Sequence, residues 1–103
     1  MDIIFFLGYR TNKETVKKKK IYKYLLKYGN VIIPDIDYKL SIQQNLDNLN
    51  LHKNKYIFIG HSIGAYFIYK LMLVQPKKIH FSIIFDGSVT IKDYIKKELQ
   101  PKS

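Results

Sequence analysis

The sequence predicts an α/β domain, a three-layer sandwich with a short parallel sheet of about four strands and helices on both faces. Apolar runs of strand length alternate with amphipathic stretches of helix length, a pattern typical of parallel sheets. The first run, residues 2–8, is apolar almost throughout, as expected for a strand buried on both faces. With 103 residues the chain suits one domain, taken as residues 1–103. Right-handed crossovers favour the strand order 2-1-3-4.

The first half contains two predicted strands with a helix between them. Thr11 and Glu14 have the spacing of a capping box, which predicts a helix beginning there. Gly29 is a suitable C-terminal cap for that helix. The second strand covers 30–34, and the loop 35–38 follows it.

A second capping box, Ser41 with Gln44, opens the second half. Ile42, Leu46 and Leu49 follow at helical spacing and form a single apolar stripe. The remaining predicted elements, in order, are a strand at about 55–60, a helix at about 63–75 that Pro76 ends, a strand at 79–85 and a last helix at 90–99.

The chain is strongly basic, with a net charge of +10 that comes almost entirely from lysine. The cluster of residues 17–20 could neutralise the phosphates of a nucleic acid. Against this, Arg10 is the single arginine, and no nucleic-acid-binding motif is present. We therefore interpret the cluster as a solvated helix face and do not expect a nucleic-acid partner.

Composition also bears on compartment and cofactors. The chain has no cysteine, which excludes disulfides and thiolate metal sites and fits a reducing compartment. No apolar run approaches the roughly 20 residues that span a bilayer. The three histidines lack metal-ligand spacing, and no glycine-rich phosphate loop follows Gly8. We expect a soluble, cytoplasmic protein without a membrane span, metal or cofactor.

The pattern G-x-S-x-G occurs once, from Gly60 to Gly64, between a predicted strand and a predicted helix. In that context it predicts a nucleophile elbow with Ser62 as the nucleophile. The two glycines fit a turn that leaves no room for side chains. The backbone N–H of Ile63 is the first candidate donor to an oxyanion, and that of Tyr9, after the first strand, is the second.

The block Gly60-His61-Ser62-Ile63-Gly64-Ala65 resembles the elbow of the α/β-hydrolase superfamily, especially its esterase and lipase branches. The strand that ends in Pro34-Asp35 is similar to one that precedes the elbow in many members. Gly8 matches the glycine of the family's oxyanion loop, although Leu7 stands where a histidine is usual. The resemblance covers the first part of the family's catalytic domain, so we expect a truncated domain.

A catalytic triad is harder to assemble from this sequence. Asp86 follows the fourth strand and is the candidate acid, with a turn residue in Asp86-Gly87 as the alternative. His52 and His80 precede or begin strands and are expected at the opposite edge of the sheet from Ser62. His61 adjoins Ser62, but neighbours at an elbow point in different directions. Three explanations for the missing general base remain: the chain is a fragment of a larger hydrolase, it is a degenerate member that has lost the base, or a partner supplies the histidine.

These observations predict a serine hydrolase that cleaves a carboxylic ester through Ser62. The alternative is a degenerate hydrolase-fold module that binds a ligand or a protein. The expected partner is a small ester or acyl substrate. An open sheet also has exposed edges, so we expect either self-association along the fourth strand or coverage of that strand by the last helix.

Overall fold

The structure is a computed structural model that describes residues 2–8 and 11–85. Four strands and four α-helices lie in these ranges: β1 Ile3–Phe6, α1 Lys13–Lys17, α2 Lys20–Leu25, β2 Val31–Ile32, α3 Ile42–Asp47, β3 Tyr56–His61, α4 Ala65–Val74 and β4 Ile79–Phe85. Short 3₁₀ turns, Ser62–Gly64 and Pro76–Lys78, lie at the two ends of α4. The predicted last helix, 90–99, is outside the described residues.

The four strands form one parallel sheet in the order β2-β1-β3-β4, which confirms the predicted order. Phe6 at the end of β1 is in register with Gly60, and Phe85 at the end of β4 is in register with His61. β1, β3 and β4 therefore end at one edge of the sheet, and that is the edge where ligands bind in open parallel sheets.

Alternate residues of β1 belong to two different apolar clusters. Ile4 and Phe6 pack with residues of α3 and α4, including Leu46 and Phe67. Ile3 and Phe5 pack instead with Val16 and Leu25 of α1 and α2. Because successive side chains of a strand point to opposite faces, the two clusters lie on opposite sides of β1. The rings of Phe6 and Phe67 stack with their centroids 5.0 Å apart at the end of the strand.

The region of the first predicted helix differs from the prediction in three ways, the first of which is that it ends at Leu25 with Leu26, and not Gly29, as its C-cap. The Thr11 capping box is wrong: Asn12 is the N-cap, and its side chain accepts a hydrogen bond from the N–H of Thr15 at 2.8 Å. The helix is also interrupted, because Lys19 is extended (φ −79°, ψ 152°) and begins a second helix. The exposed lysines 17–20 repel one another, and like charges at helical spacing weaken a continuous helix.

The second half follows the prediction more closely. Both hydrogen bonds of the Ser41 capping box are present, at 2.9 and 3.0 Å. Asn45 of α3 is 5% exposed, and its side chain bonds the N–H and the carbonyl of Asp37 as well as the carbonyl of Ser41. This amide ties the loop that follows β2 to α3. The predicted second strand, 30–34, is shorter than expected, because only Val31 and Ile32 pair with β1.

In the described part of the chain, β4 has β3 as its one neighbour and forms an edge of the sheet. Phe81 and Ile83 are in register with Ile57 and Ile59, so they share the face that carries the second cluster. Both side chains are nearly half exposed, at 47% and 46%. Phe81 and Ile83 therefore form an apolar strip on the face of the sheet against which α1 and α2 pack, but these helices do not cover it. Among the described helices, none has the length and apolar character needed to cross a membrane.

Candidate active site

Ser62 follows the last residue of β3 and begins the turn that leads into α4. Its φ angle is +56°, and it is the one residue other than glycine with a positive φ in the described ranges. A residue with a Cβ rarely adopts this left-handed conformation, which costs on the order of 1–3 kcal/mol and is concentrated at functional sites. A strained serine between a strand and a helix has the geometry of a nucleophile elbow.

The glycines on either side of Ser62 are required by close packing. A Cβ on Gly60 would lie 2.8 Å from Cδ1 of Ile68 and 2.9 Å from the backbone nitrogen of Ala65. A Cβ on Gly64 would overlap the backbone carbonyl of Phe6. The G-x-S-x-G pattern therefore reflects the contact of the turn with α4 on one side and with the end of β1 on the other.

The end of β1 also adjoins the serine itself. A Cβ on Gly8 would lie 3.3 Å from the Cβ of Ser62, 3.2 Å from Nδ1 of His61 and 3.4 Å from Oγ1 of Thr11. The chain after β1 thus starts beside Ser62, where a second oxyanion donor is expected. Tyr9, the predicted donor, is outside the described residues.

The other predicted donor is the backbone N–H of Ile63, the second residue of the turn. The first N–H groups of a helix have no acceptor within the helix, so they are suited to bind an oxyanion. The positive end of the dipole of α4 adds to the favourable potential at this place. The arrangement can stabilise negative charge next to the Ser62 hydroxyl.

The three histidines occupy different ends of the sheet. His80 lies next to Ile79, which is in register with Tyr56 at the start of β3, and His52 precedes β3. At about 3.3 Å per residue, the length of β3 separates this edge from Ser62 by roughly 15–20 Å. His61 is different, because its imidazole reaches Gly8 beside the serine. The predicted acid, Asp86, is outside the described residues.

The two other aspartates at this edge have structural partners. Oδ1 of Asp37 accepts a hydrogen bond from the N–H of Lys39 at 2.9 Å, as a turn-capping residue does. Asp35 pairs with the ammonium group of Lys13 at 2.7 Å. Asp37 therefore caps a turn, and the Lys13 ion pair is a feature that sequence spacing did not indicate.

A cavity of about 240 Å³ opens at the carboxyl ends of β1 and β2. Its lining includes Leu7, Gly8, Thr11, Lys13, Pro34 and Ile36. A larger depression of about 620 Å³ lies at the far end of the molecule, between the ends of α3 and α4, and includes Leu49 and Leu51. The smaller cavity is the nearer of the two to Ser62, because Gly8, a buried residue of its lining, packs against the serine.

No group of three metal-ligating side chains occurs among residues 2–8 and 11–85. Comparisons with family models, with curated proteins and with solved structures returned no match for this chain. The likeness to α/β-hydrolases therefore rests on the residues of the elbow and on their geometry.

Proposed function

We propose that the chain is a serine hydrolase of the α/β-hydrolase type that cleaves carboxylic esters through Ser62. The observation that carries the proposal is the positive φ of Ser62 at a strand-to-helix turn between two sterically required glycines. A residue with a Cβ is strained in this conformation, and such strain is concentrated at functional sites.

In the proposed reaction the Ser62 hydroxyl oxygen attacks the ester carbonyl carbon. A general base takes the hydroxyl proton, and the N–H groups of Ile63 and Tyr9 hold the oxyanion that forms. Collapse of the intermediate breaks the ester carbon–oxygen bond, and the base gives the proton to the departing alcohol. Asp86 is the proposed acid that orients the base. Attack by water then releases the carboxylic acid and regenerates the serine.

The supply of the general base separates this proposal from its alternative. Two of the three histidines lie about 15–20 Å from Ser62, by the strand geometry given above. That observation favours the second candidate, a hydrolase-fold module that has kept the elbow but binds its ligand without turnover. Removing a triad member leaves only a low residual rate in serine hydrolases, so the two candidates differ measurably.

Labelling with a fluorophosphonate probe tests the proposal, because the probe reacts with activated serines. We expect labelling that Ser62→Ala abolishes and that Ser82→Ala, a matched change within β4, leaves intact. Hydrolysis of short aryl esters should follow the same pattern. Absence of both labelling and hydrolysis in the wild-type protein would exclude the enzyme and favour the binding module.

We further propose a complete three-layer sandwich, in the cytoplasm, in which the apolar strip of Phe81 and Ile83 is covered. Two sources of cover are open: residues 90–99 of the same chain, or β4 of a second copy. Sedimentation analysis distinguishes them. A dimer that Phe81→Ser dissociates supports the second copy, and a monomeric wild-type protein excludes it.

A further inference from the structure

We propose that the outer side of α1 and α2, formed by residues 17–28, binds the surface of an anionic phospholipid bilayer. This surface is called the basic face below. The proposal does not rest on the function proposed for Ser62, because the basic face is not part of the turn that carries the serine. It gives the chain a partner other than a small substrate.

The packing of α1 and α2 determines which side chains form the basic face. Val16 and Leu25 are buried in the second apolar cluster, which fixes the inner side of the two helices. The lysines of the segment are all exposed, and they are Lys17, Lys18, Lys19, Lys20, Lys23 and Lys27. Cations therefore cover the side of this segment that faces solvent.

The charge of the basic face is almost uncompensated. Residues 15–34 contain no aspartate or glutamate. Glu14 approaches Lys17 at 3.8 Å, and no other lysine of the face pairs with a carboxylate of residues 2–8 or 11–85. Clusters of about four to eight basic residues on a surface helix are typical of binding sites for anionic lipids, such as those of a cytoplasmic leaflet. Charge complementarity therefore identifies the partner as an anionic surface.

Aromatic and aliphatic side chains are exposed between these lysines. Tyr24 and Tyr28 are 52% and 58% exposed, and Ile21 and Leu26 are exposed as well. The two tyrosine hydroxyls lie 3.0 Å apart, and the ammonium group of Lys27 lies 5.8 Å from the centre of the Tyr24 ring. Tyrosine suits the boundary between lipid headgroups and acyl chains, because its ring is apolar and its hydroxyl is polar.

The order of these side chains along the helix suits a flat surface. Lys20, Lys23 and Lys27 follow one another at spacings of three and four residues, so they lie in one row along α2 and the turn that continues it. Tyr24 and Tyr28 each come directly after a lysine of that row and form a second row beside it. The lysines can thus reach headgroup phosphates while the tyrosine rings enter the boundary region beneath them.

A nucleic acid is the main competing partner, because its phosphates also attract lysine. The segment 17–28 contains no arginine, the residue that most often reads bases. Ile21 and Leu26 would have no role against a phosphate backbone, whereas both bury apolar surface when they enter a bilayer. These two side chains favour the membrane over the nucleic acid.

Sedimentation with lipid vesicles tests the proposal. Vesicles of phosphatidylcholine with about 30% phosphatidylserine should bind the wild-type protein in about 0.1 M salt, and vesicles of phosphatidylcholine alone should bind it about tenfold more weakly or less. Raising the salt to about 0.5 M should release most of the protein, because salt screens the exposed lysines from the lipid. Absence of binding to the anionic vesicles would overturn the proposal.

Two triple variants separate the basic face from the net charge of the whole chain. The first combines Lys20→Gln, Lys23→Gln and Lys27→Gln. Its matched control removes the same charge from exposed lysines elsewhere, by Lys39→Gln, Lys55→Gln and Lys77→Gln. The first should weaken binding to the anionic vesicles about a hundredfold, at about fivefold per lysine, and the control less than about threefold. Equal losses in the two variants would contradict the assignment to the basic face.

A tyrosine variant separates a bilayer from a nucleic acid. Tyr24→Ser combined with Tyr28→Ser should weaken binding to the anionic vesicles about tenfold, because the rings no longer bury apolar surface there. Vesicle binding that survives these changes would contradict the insertion of the rings. Wild-type protein that binds duplex or single-stranded DNA more tightly than the anionic vesicles, at the same salt, would overturn the proposal in favour of a nucleic acid.

The membrane surface and the enzyme fail separately. Ser62→Ala should bind the anionic vesicles as the wild-type protein does, although it cannot be labelled by the fluorophosphonate. Vesicle binding without labelling of the wild-type protein would retain the basic face and exclude the hydrolase, and labelling without vesicle binding would do the reverse.

Discussion

Replacing Gly64 by alanine tests the packing that builds the elbow. Gly64 has ordinary right-handed helical angles, φ −59° and ψ −24°, so alanine is conformationally allowed there. The obstacle is steric: the added Cβ would overlap the carbonyl oxygen of Phe6 and lie 2.7 Å from its carbonyl carbon. Phe6 is fully buried in the central part of the sheet and cannot rotate its backbone away.

The size of the effect follows from two opposing terms. Overpacking a buried site costs typically about 1–3 kcal/mol, and a clash with backbone lies at the upper end. Alanine regains up to about 1 kcal/mol over glycine in a helical conformation. We expect a net loss of about 2–3 kcal/mol, which lowers Tm by roughly 10–20 °C in a domain of this size.

Urea denaturation and thermal melting followed by circular dichroism measure this loss. Gly8→Ala is the matched control, because its Cβ would meet only side-chain atoms, at 3.2–3.4 Å, which can shift. That variant should cost less than about 1 kcal/mol, since flexible neighbours adjust to one added methyl. A Gly64→Ala protein as stable as the wild type would refute the contact between the elbow and Phe6.

Three further changes have defined outcomes. Ser62→Gly should be more stable than Ser62→Ala by about 0.5–1 kcal/mol in urea, because glycine tolerates the positive φ; equal stabilities would contradict that backbone conformation. Asn45→Leu should lower the free energy of unfolding by about 2–3 kcal/mol in the same measurement, because the N–H and the carbonyl of Asp37 lose their hydrogen bonds to the buried amide. An unchanged stability would show that water replaces the amide. The hydrogen bond and charge of Lys53 lower the pKa of Asp2 in the folded protein. The stability that this pair contributes is therefore fully present above the unfolded pKa near 4, and it is lost as the pH falls through the lower, folded pKa. Melting from pH 6 to 2.5 should show a fall in stability that is smaller in Asp2→Asn, and parallel curves would argue against the pair.

Much of the fold follows from local pattern. The Ser41 capping box and the run from Ile79 to Phe85 were predictable because each signal is contained within a few neighbouring residues. The strand order followed from alternation of elements and the handedness of crossovers. The G-x-S-x-G pattern placed Ser62 at a turn, and its positive φ supports the same interpretation.

Other features depend on contacts that spacing does not encode. Thr11 and Asn12 are both good N-caps, and the choice between them depends on how the chain leaves β1. Asn45 looks like an exposed polar residue of a helix, yet it is buried because the Asp37 loop folds over it. The pairing of Lys13 with Asp35 joins two segments that approach only through the sheet. Such long-range choices require the three-dimensional structure.

The sheet order also bears on how the chain folds. β1 is central, yet its extensive partner, β3, lies half a chain away, and the nearer β2 offers only two paired residues. During synthesis β1, which is apolar on both faces, therefore has no extensive pairing partner until β3 has emerged. Parallel pairing of such distant segments is intrinsically slow and exposes the chain to aggregation. Residues 3–6, which the folded sheet buries, are therefore exposed to aggregation until β3 can pair with them.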